Sequence, residues 1–405
     1  MRRSLLPLAG LAVLACAGDG GPDEVPEGEL ATSELHVVGT SDLLAIVEDL
    51  TVLEDGTVWV QNSVEPLFLA FDGSGGPTAE HGRRGGGPEE FGAPAGFVAA
   101  GLDGDAWVLD RRRNVLVRVS TPDLPRAEVG LPGEVFPVAS VLGGMSLMSP
   151  LVRTARLGNA VVLPRRRGVG EVSAVAYYRT IWDADLVAFD PATGGVSTVV
   201  PLPEALGDIG AHFTEVGAGF PPFPFWYRLW TACGEAVWLH DLVRNQLRGF
   251  TADGTELEPV QLPPPAFTEV SPREFVRAAF DLIAAERVGA VSTGVGLMSS
   301  ADSARLIQGA VAALEGSEEQ HAAVLPQYVD LRCGEGEGVL WLQPLDLEAG
   351  GMRGSATWLR VSPDHTLARV DFPDRFQPYV FRSGQAWGIT RDALDVATVA
   401  RVDLP

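Results

Sequence analysis

Arginine is the residue type in this chain best placed to do chemistry. All 30 basic residues are Arg, and eight of them fall in three short runs: Arg83 and Arg84; Arg111, Arg112 and Arg113; Arg165, Arg166 and Arg167. A guanidinium is a planar fork of donors that matches a carboxylate, sulfate or phosphate through two bonds at once. Grouped in this way, the eight read as an anion-recognition surface for an acidic glycan, a lipid head group or an acidic partner. The same side chains also suit ordinary surface ion pairs with Glu89, Glu90 and Asp110, each of which contributes little.

Catalytic signals are thinner. The histidines, His36, His81, His212, His240, His321 and His365, are scattered. His81 and His240 are expected near the Arg runs, as plain loop residues. Glu89 and Glu90 are sequence neighbours and read as a solvated pair, not as an acid and a base. No Gly-x-Ser-x-Gly elbow or phosphate loop is present, and the glycines of 82–87 open no helix. No Cys/His spacing matches a zinc site. The stretch 220–227 (FPPFPFWY) is densely aromatic and reads as a packing strand or the lining of a groove. These observations assign no catalytic residue, no metal ligand and no cofactor. They favour binding over catalysis.

Positioning these residues falls to a repeat. Leu53–Val60 (LEDGTVWV) followed by Leu67–Asp72 (LFLAFD) is echoed by Leu102–Leu109 (LDGDAWVL) followed by Val115–Ser120 (VLVRVS), and Trp59 and Trp107 lie 48 residues apart. Looser copies surround Trp238, Trp341 and Trp387, and a degraded one pairs 159–163 with 185–190. Each copy reads as strand, tight turn, strand, loop, strand, with Asp-Gly or Cys-Gly supplying the positive φ of a hairpin. Period-two alternation turns each Trp toward a core. A fourth short strand follows in most copies and tends to end in Pro. Four antiparallel strands in about 45 residues make a propeller blade. The fold expected is therefore all-β, a six-bladed β-propeller over 34–405. The last copy stops at Pro405 after its third strand, so Glu34–Gly39 is expected to supply the fourth and close the ring, leaving no exposed edge.

Six such blades leave a surplus. One insertion is expected around 135–180. The other, about 267–325, lies between blades four and five and reads as helical: Ser271 caps, Pro272 takes the first position, and Phe275, Ala278, Ala279, Leu282 and Ile283 form an apolar stripe. A second helix is expected from about Ser300 to Leu314. By loop position, the Arg runs share one end of the blades with Arg244, Arg353 and Arg391. Glu54, Asp55, Asp103, Asp105, Glu235, Glu335 and Glu337 fall at the other end.

The run 85–91 (GGGPEEF), Pro94, Asp103-Gly104 and 107–111 (WVLDR) through Val119 resembles an NHL-type six-bladed propeller repeat, with Glu89 in place of the family's middle Gly. The match covers about 40 residues. The family is a scaffold class whose members bind proteins, nucleic acids or small molecules, and related propellers are lactonases or lyases, so the resemblance implies a fold and leaves function open. Lactonase-type propellers hold a metal with a carboxylate, an Asn and an Asp. Asn62, Asn114 and Asn245 lie near second-strand ends, but form no recognisable set.

The N-terminus gives an address. Arg2 and Arg3 precede an apolar run, Leu5 to Ala15, that has the length of a signal segment and is too short to span a bilayer. Val13-Leu14-Ala15-Cys16 resembles the bacterial lipobox, which implies a signal peptide over 1–15 and lipidation at Cys16. Residues 16–33 read as a flexible tether. The expected location is the bacterial cell envelope, on the periplasmic side or the cell surface, held to the membrane by the lipid alone. An oxidising compartment permits a bond between Cys233 and Cys333. Equivalent turn positions of neighbouring blades are usually too far apart to bond, so both are expected as free thiols. The net charge of −23 argues against nucleic acid as a partner. The reading is an envelope-anchored, monomeric binding or scaffold protein engaging an anionic small molecule, glycan or protein through its Arg-rich face. The alternative is a hydrolase or lyase acting on a sugar or lactone at the channel mouth.

Overall fold

A computed structural model describes residues 29–32, 34–87, 90–99, 102, 104–119, 127–131, 154–166, 184–202, 229–241, 244–263, 328–335, 338–346 and 353–405. The chain is all-β. After β1 (Glu29–Ala31) and β2 (His36–Thr40), strands pair sequentially into antiparallel meanders. The first meander is β3 (Val47–Val52), β4 (Val58–Asn62), β5 (Phe68–Phe71) and β6 (Pro77–His81). A short parallel pair, β7 (Arg83–Arg84) and β8 (Glu90–Phe91), leads to β9 (Pro94–Ala99), β10 (Ala106–Asp110), β11 (Val115–Val119) and β12 (Glu128–Gly130). Next come β13 (Thr154–Leu157), β14 (Ala160–Arg166), β15 (Ala184–Phe189) and β16 (Val196–Pro201), then β17 (Trp230–Cys233), β18 (Ala236–Asp241), β19 (Gln246–Thr251) and β20 (Val260–Gln261). The following set is β21 (Tyr328–Glu335), β22 (Val339–Asp346), β24 (Thr357–Val361) and β25 (Leu367–Asp371), with β23 (Arg353–Gly354) on the end of β22. The last is β26 (Phe376–Arg382), β27 (Gln385–Arg391) and β28 (Ala397–Asp403), completed by β2 from the other end of the chain, with His36 opposite Arg401 and Thr40 opposite Thr398.

The first strands of these sets touch in cyclic order, β3 to β9, β13, β17, β21, β26 and back to β3. Parallel pairing joins β9 to β13 and β21 to β26. The core lies between the sets. Trp59, Trp107, Trp341 and Trp387 are buried, as the alternation implies, and Trp238 is partly buried. The positive-φ turn glycines include Gly56 and Gly104 of the Asp-Gly steps and Gly234 of Cys-Gly.

The expectation of free thiols is corrected: Cys233 and Cys333 form a disulfide with Cα atoms 5.1 Å apart. Neither cysteine belongs to a turn. Cys233 ends β17 and Cys333 lies within β21, and these first strands pack directly against one another. First strands line the ring, where adjacent sets approach most closely. No backbone ladder joins β17 to β21 among the described residues, and the covalent bond ties these two first strands as parallel pairing ties β9 to β13 and β21 to β26.

The signal segment, Cys16, the helices at 271–283 and 300–314, the aromatic stretch 220–227, Glu89, Asp103, Glu337, Arg167, His212 and His321 lie outside the described residues. So do 135–153 and 167–180 of the first insertion.

Candidate functional site

Polar side chains gather where the first strands meet. Asp49 faces Gln61 across β3 and β4, and Asp330 faces Gln343 across β21 and β22, the same pairing in two sets. Arg332, two residues beyond Asp330 on the same strand face, donates from Nε to Asp330 Oδ2 at 2.9 Å. Its Nη1 lies 3.7 Å from Asp49 Oδ1, so it spans from one set to another across the ring. Burial opposes the charge on Arg332, but Asp330 and Asp49 outweigh it and raise its pKa. The guanidinium lies 5.5 Å over the Tyr379 ring, and the Tyr379 hydroxyl donates to the Val47 carbonyl at 3.2 Å. Burial pushes that phenol up to about 12, so it stays a donor. Asp49 Oδ2 also accepts from the Phe97 N–H at 2.8 Å. The Gln343 and Gln377 amides meet at 3.3 Å.

Glu48 stands beside this group. Its Oε2 accepts from Gln61 Nε2 at 2.6 Å, while Gln61 Oε1 accepts from the Gly96 N–H at 2.9 Å. Burial raises the Glu48 pKa; the Gln61 bond and the positive charges of Arg84 and Arg111 oppose this, and Asp49 adds to it. A carboxyl held toward its neutral form, with two guanidiniums near it, is the arrangement that binding and catalytic sites use.

Of the eight arginines expected at one surface, the six whose side chains are described divide into distinct roles. Arg83 pairs with Glu90 at 3.0 Å. Arg113 grips Glu128 through two bonds, 2.8 and 2.6 Å. Arg84 is exposed and donates from Nη2 to the Ser63 carbonyl at 3.1 Å. Arg111 is half-buried, and its backbone N–H donates to the Ala93 carbonyl at 3.0 Å. Arg112 is exposed and makes no ion pair among the described residues. Arg165 is half-buried in β14 opposite Asp185, with Arg166 next to it opposite Ala184. Among the described residues, the positive charges of Arg84 and Arg111 both favour the carboxylate of Glu48.

A turn motif explains part of the arginine pattern. Arg113 and Asn114 follow Asp110, the last residue of β10, at the same spacing as Arg244 and Asn245 follow Asp241, the last residue of β18. In each, the Asp accepts from the Arg backbone N–H, at 3.4 and 3.1 Å. In each, the Asn takes positive φ, 53° and 49°, and its amide donates to the carbonyl just after the fourth strand, Leu131 or Leu262, at 3.3 Å. The Asn62 amide likewise donates to the Leu43 carbonyl and accepts from the Ala45 N–H. All three asparagines are used by the backbone. Asp110 further accepts the Gly92 and Ala93 N–H groups at 2.7 and 3.0 Å, which holds the glycine-rich loop against β10.

The histidines beside the Arg runs are packed side chains. His81 sits edge-on to Trp59 with ring centroids 5.6 Å apart. His240 is 1 % exposed, lies edge-on to Tyr328, and is held down at about 4 by burial. Sequence reasoning missed Glu48, Asp49, Asp330, Arg332 and Tyr379. The one available signal was the polar residues at the starts of otherwise apolar first strands.

No family model matches the chain, and no curated protein matches it. Among solved structures it is similar to a member of the DUF4221 family from Bacteroides vulgatus, at 9 % identity and a TM-score of 0.50, covering 93 % of this chain and 99 % of that one. A streptogramin B lyase structure is similar at 12 % identity and a TM-score of 0.43, covering 92 % and 98 %. A gluconolactonase from Xanthomonas campestris is similar at 9 % identity and a TM-score of 0.43, covering 94 % and 99 %. The DUF4221 structure is a β-propeller, and the all-β residues described above share that architecture.

Proposed function

We propose that this chain is a six-bladed propeller of the NHL-like type that binds an anionic ligand at the end where Arg84, Arg111 and Glu48 meet. The cyclic contact of β3, β9, β13, β17, β21 and β26, and the pairing of β2 with β28, support the blade count. The pull of the Arg84 and Arg111 charges on one partly buried acid, with Arg84 held against the Ser63 carbonyl at 3.1 Å, supports the binding site. Arg112, exposed and next to Arg111 in the chain, offers a further guanidinium, whereas Arg83 and Arg113 are already neutralised by Glu90 and Glu128. An incoming anion takes the place of Glu48 as counter-charge. The partner is an anionic small molecule, glycan or protein.

The test is thermal shift against a panel of anionic glycans and metabolites at low and high salt. A ligand at a hundred times its Kd adds about 2.7 kcal/mol. Stabilisation that salt removes, and that Arg84→Ala weakens, is expected. A panel that gives no salt-sensitive stabilisation refutes the reading.

A second reading, a hydrolase or lyase acting on a sugar or lactone at the channel mouth, draws on Glu48 as an acid held toward its protonated form with Asp49 and Asp330 close by. Turnover in the same panel, abolished by Glu48→Gln, would establish it.

We also propose export and lipid anchoring through Cys16, from the short apolar leader that it closes. The Cys233–Cys333 disulfide supports an oxidising compartment. No helix among the described residues is long and apolar enough to cross a membrane. Mass spectrometry of the membrane-extracted protein tests the anchor: a diacylglyceryl mass on Cys16 is expected, and an unmodified N-terminus refutes it.

A further inference from the structure

We infer that the ligand of this end is amphiphilic, with an anionic head at Arg84 and an aliphatic or ring moiety laid over a rim formed by Leu43, Ile46, Val64, Leu394 and Val396. This rests on the anion-binding reading above and adds the apolar half of the ligand.

Six large hydrophobic side chains are exposed among the described residues, and five of them make up this rim: Leu394 at 83 %, Val396 at 44 %, Ile46 at 40 %, Leu43 at 37 % and Val64 at 36 %. They occupy three loops at one end of the strands: the connection from β2 to β3, the turn from β4 to β5, and the turn from β27 to β28. Hydrogen bonds tie the three loops into one surface. Ser63 N–H donates to the Ile46 carbonyl at 2.8 Å, and Arg391 reaches the Asp395 carbonyl at 3.0 Å and the Ala45 carbonyl at 3.3 Å. The Leu394 turn is built, not frayed: Asp392 Oδ1 accepts from the Leu394 and Val396 N–H groups at 2.8 and 2.9 Å.

Charge sits at the edge of the rim. Arg84 donates to the carbonyl of Ser63, next to Val64, and Glu48 follows Ile46 by two residues. Clustered exposed apolar side chains mark a site of interaction. A protein partner would need about 800 Å² on each side. Five side chains, four of them no more than 44 % exposed, offer much less than that and match a chain or ring of a small molecule.

The probes are inorganic phosphate and straight-chain alkyl phosphates from four to eight carbons, kept below micelle formation. Each is titrated into the full chain at low salt and read by calorimetry. In the wild type, affinity should climb with chain length, by up to about fourfold for each methylene buried. Leu394→Asp combined with Val396→Asp should flatten the series and leave inorganic phosphate within about twofold. Arg84→Ala should weaken every probe alike and keep the slope. Phosphate binding with a flat wild-type series overturns the amphiphile and leaves the anion site standing. No salt-sensitive binding of any probe overturns both. A concentration-dependent dimer that Leu394→Asp abolishes would assign the rim to a second copy of the chain and overturn the inference.

Discussion

Breaking the Cys233–Cys333 bond should cost this fold about 4.7 kcal/mol, the loop-closure entropy expected for the 100 residues that separate the two cysteines. The bond joins β17 to β21, two first strands that pack together with no backbone ladder between them among the described residues. With an unfolding entropy of about 2.1 cal/mol/K per residue over the roughly 225 described residues, the loss lowers Tm by roughly 10 °C. The assay is calorimetry of wild-type protein with and without reductant, beside a Cys233→Ala/Cys333→Ala double variant. Reduced wild type and double variant should both melt several degrees early, and reductant should leave the double variant unchanged. Cys233 is buried, so truncating it also removes packing, and the reduced wild type gives the cleaner figure. If thiol titration of the unfolded, unreduced protein finds both sulfurs free, the bond does not form. If reduction moves Tm by less than about 1 °C, the entropic reasoning fails.

Two predictions concern pH. His240 is held down at about 4 by burial, against an ordinary 6.5, so the unfolded chain binds the proton first. Stability should therefore fall as pH drops through that window, by about 3 kcal/mol in full. His240→Phe should remove this slope from urea unfolding between pH 7 and 4, and parallel curves for the two proteins would contradict it. Glu48 has the opposite sign: burial holds its pKa above 4.5, so the unfolded chain ionises first and stability falls as pH rises. Glu48→Gln should gain Tm over wild type at pH 8 compared with pH 4, and an equal difference at both would exclude the burial effect.

The strands were legible because their signals are local. Asp-Gly and Cys-Gly steps fix hairpins within a few residues, and alternation around Trp59, Trp107, Trp341 and Trp387 fixes which face is buried. The pairing of β2 with β28 could be inferred because a missing strand at one end needs a spare one at the other. Arginine roles were legible only as a type. Whether Arg113 recognises a ligand or Glu128 depends on which side chain lies across the turn, and composition does not carry that information. The cysteines misled for a related reason: spacing placed them in equivalent turns, whereas both belong to first strands at the ring, where distances between sets are shortest. Asp49 and Arg332, on the first strands of different sets, meet only because the ring closes.

One local feature converts that closure into a site. β3, β9, β21 and β26 each slip register against their second strands. In β3 the slip leaves Val47 opposite Asn62 and Asp49 opposite Gln61, so Glu48 is the extra residue. In a regular strand, Glu48 and Asp49 would point to opposite faces. A bulge bends the strand and re-aims a side chain. Here both acids stay partly buried, and Gln61 serves both neighbours by donating to Glu48 and accepting from Gly96 of the next set. In β26 the same slip, between Pro378 and Val380, coincides with Tyr379, the residue under Arg332. The polar centre of the ring thus depends on bulges, each adding one residue to a strand. A bulge is a choice of hydrogen-bond register and not of residue type, which is why the arginines at the rim could be read from the sequence and the acids they face could not.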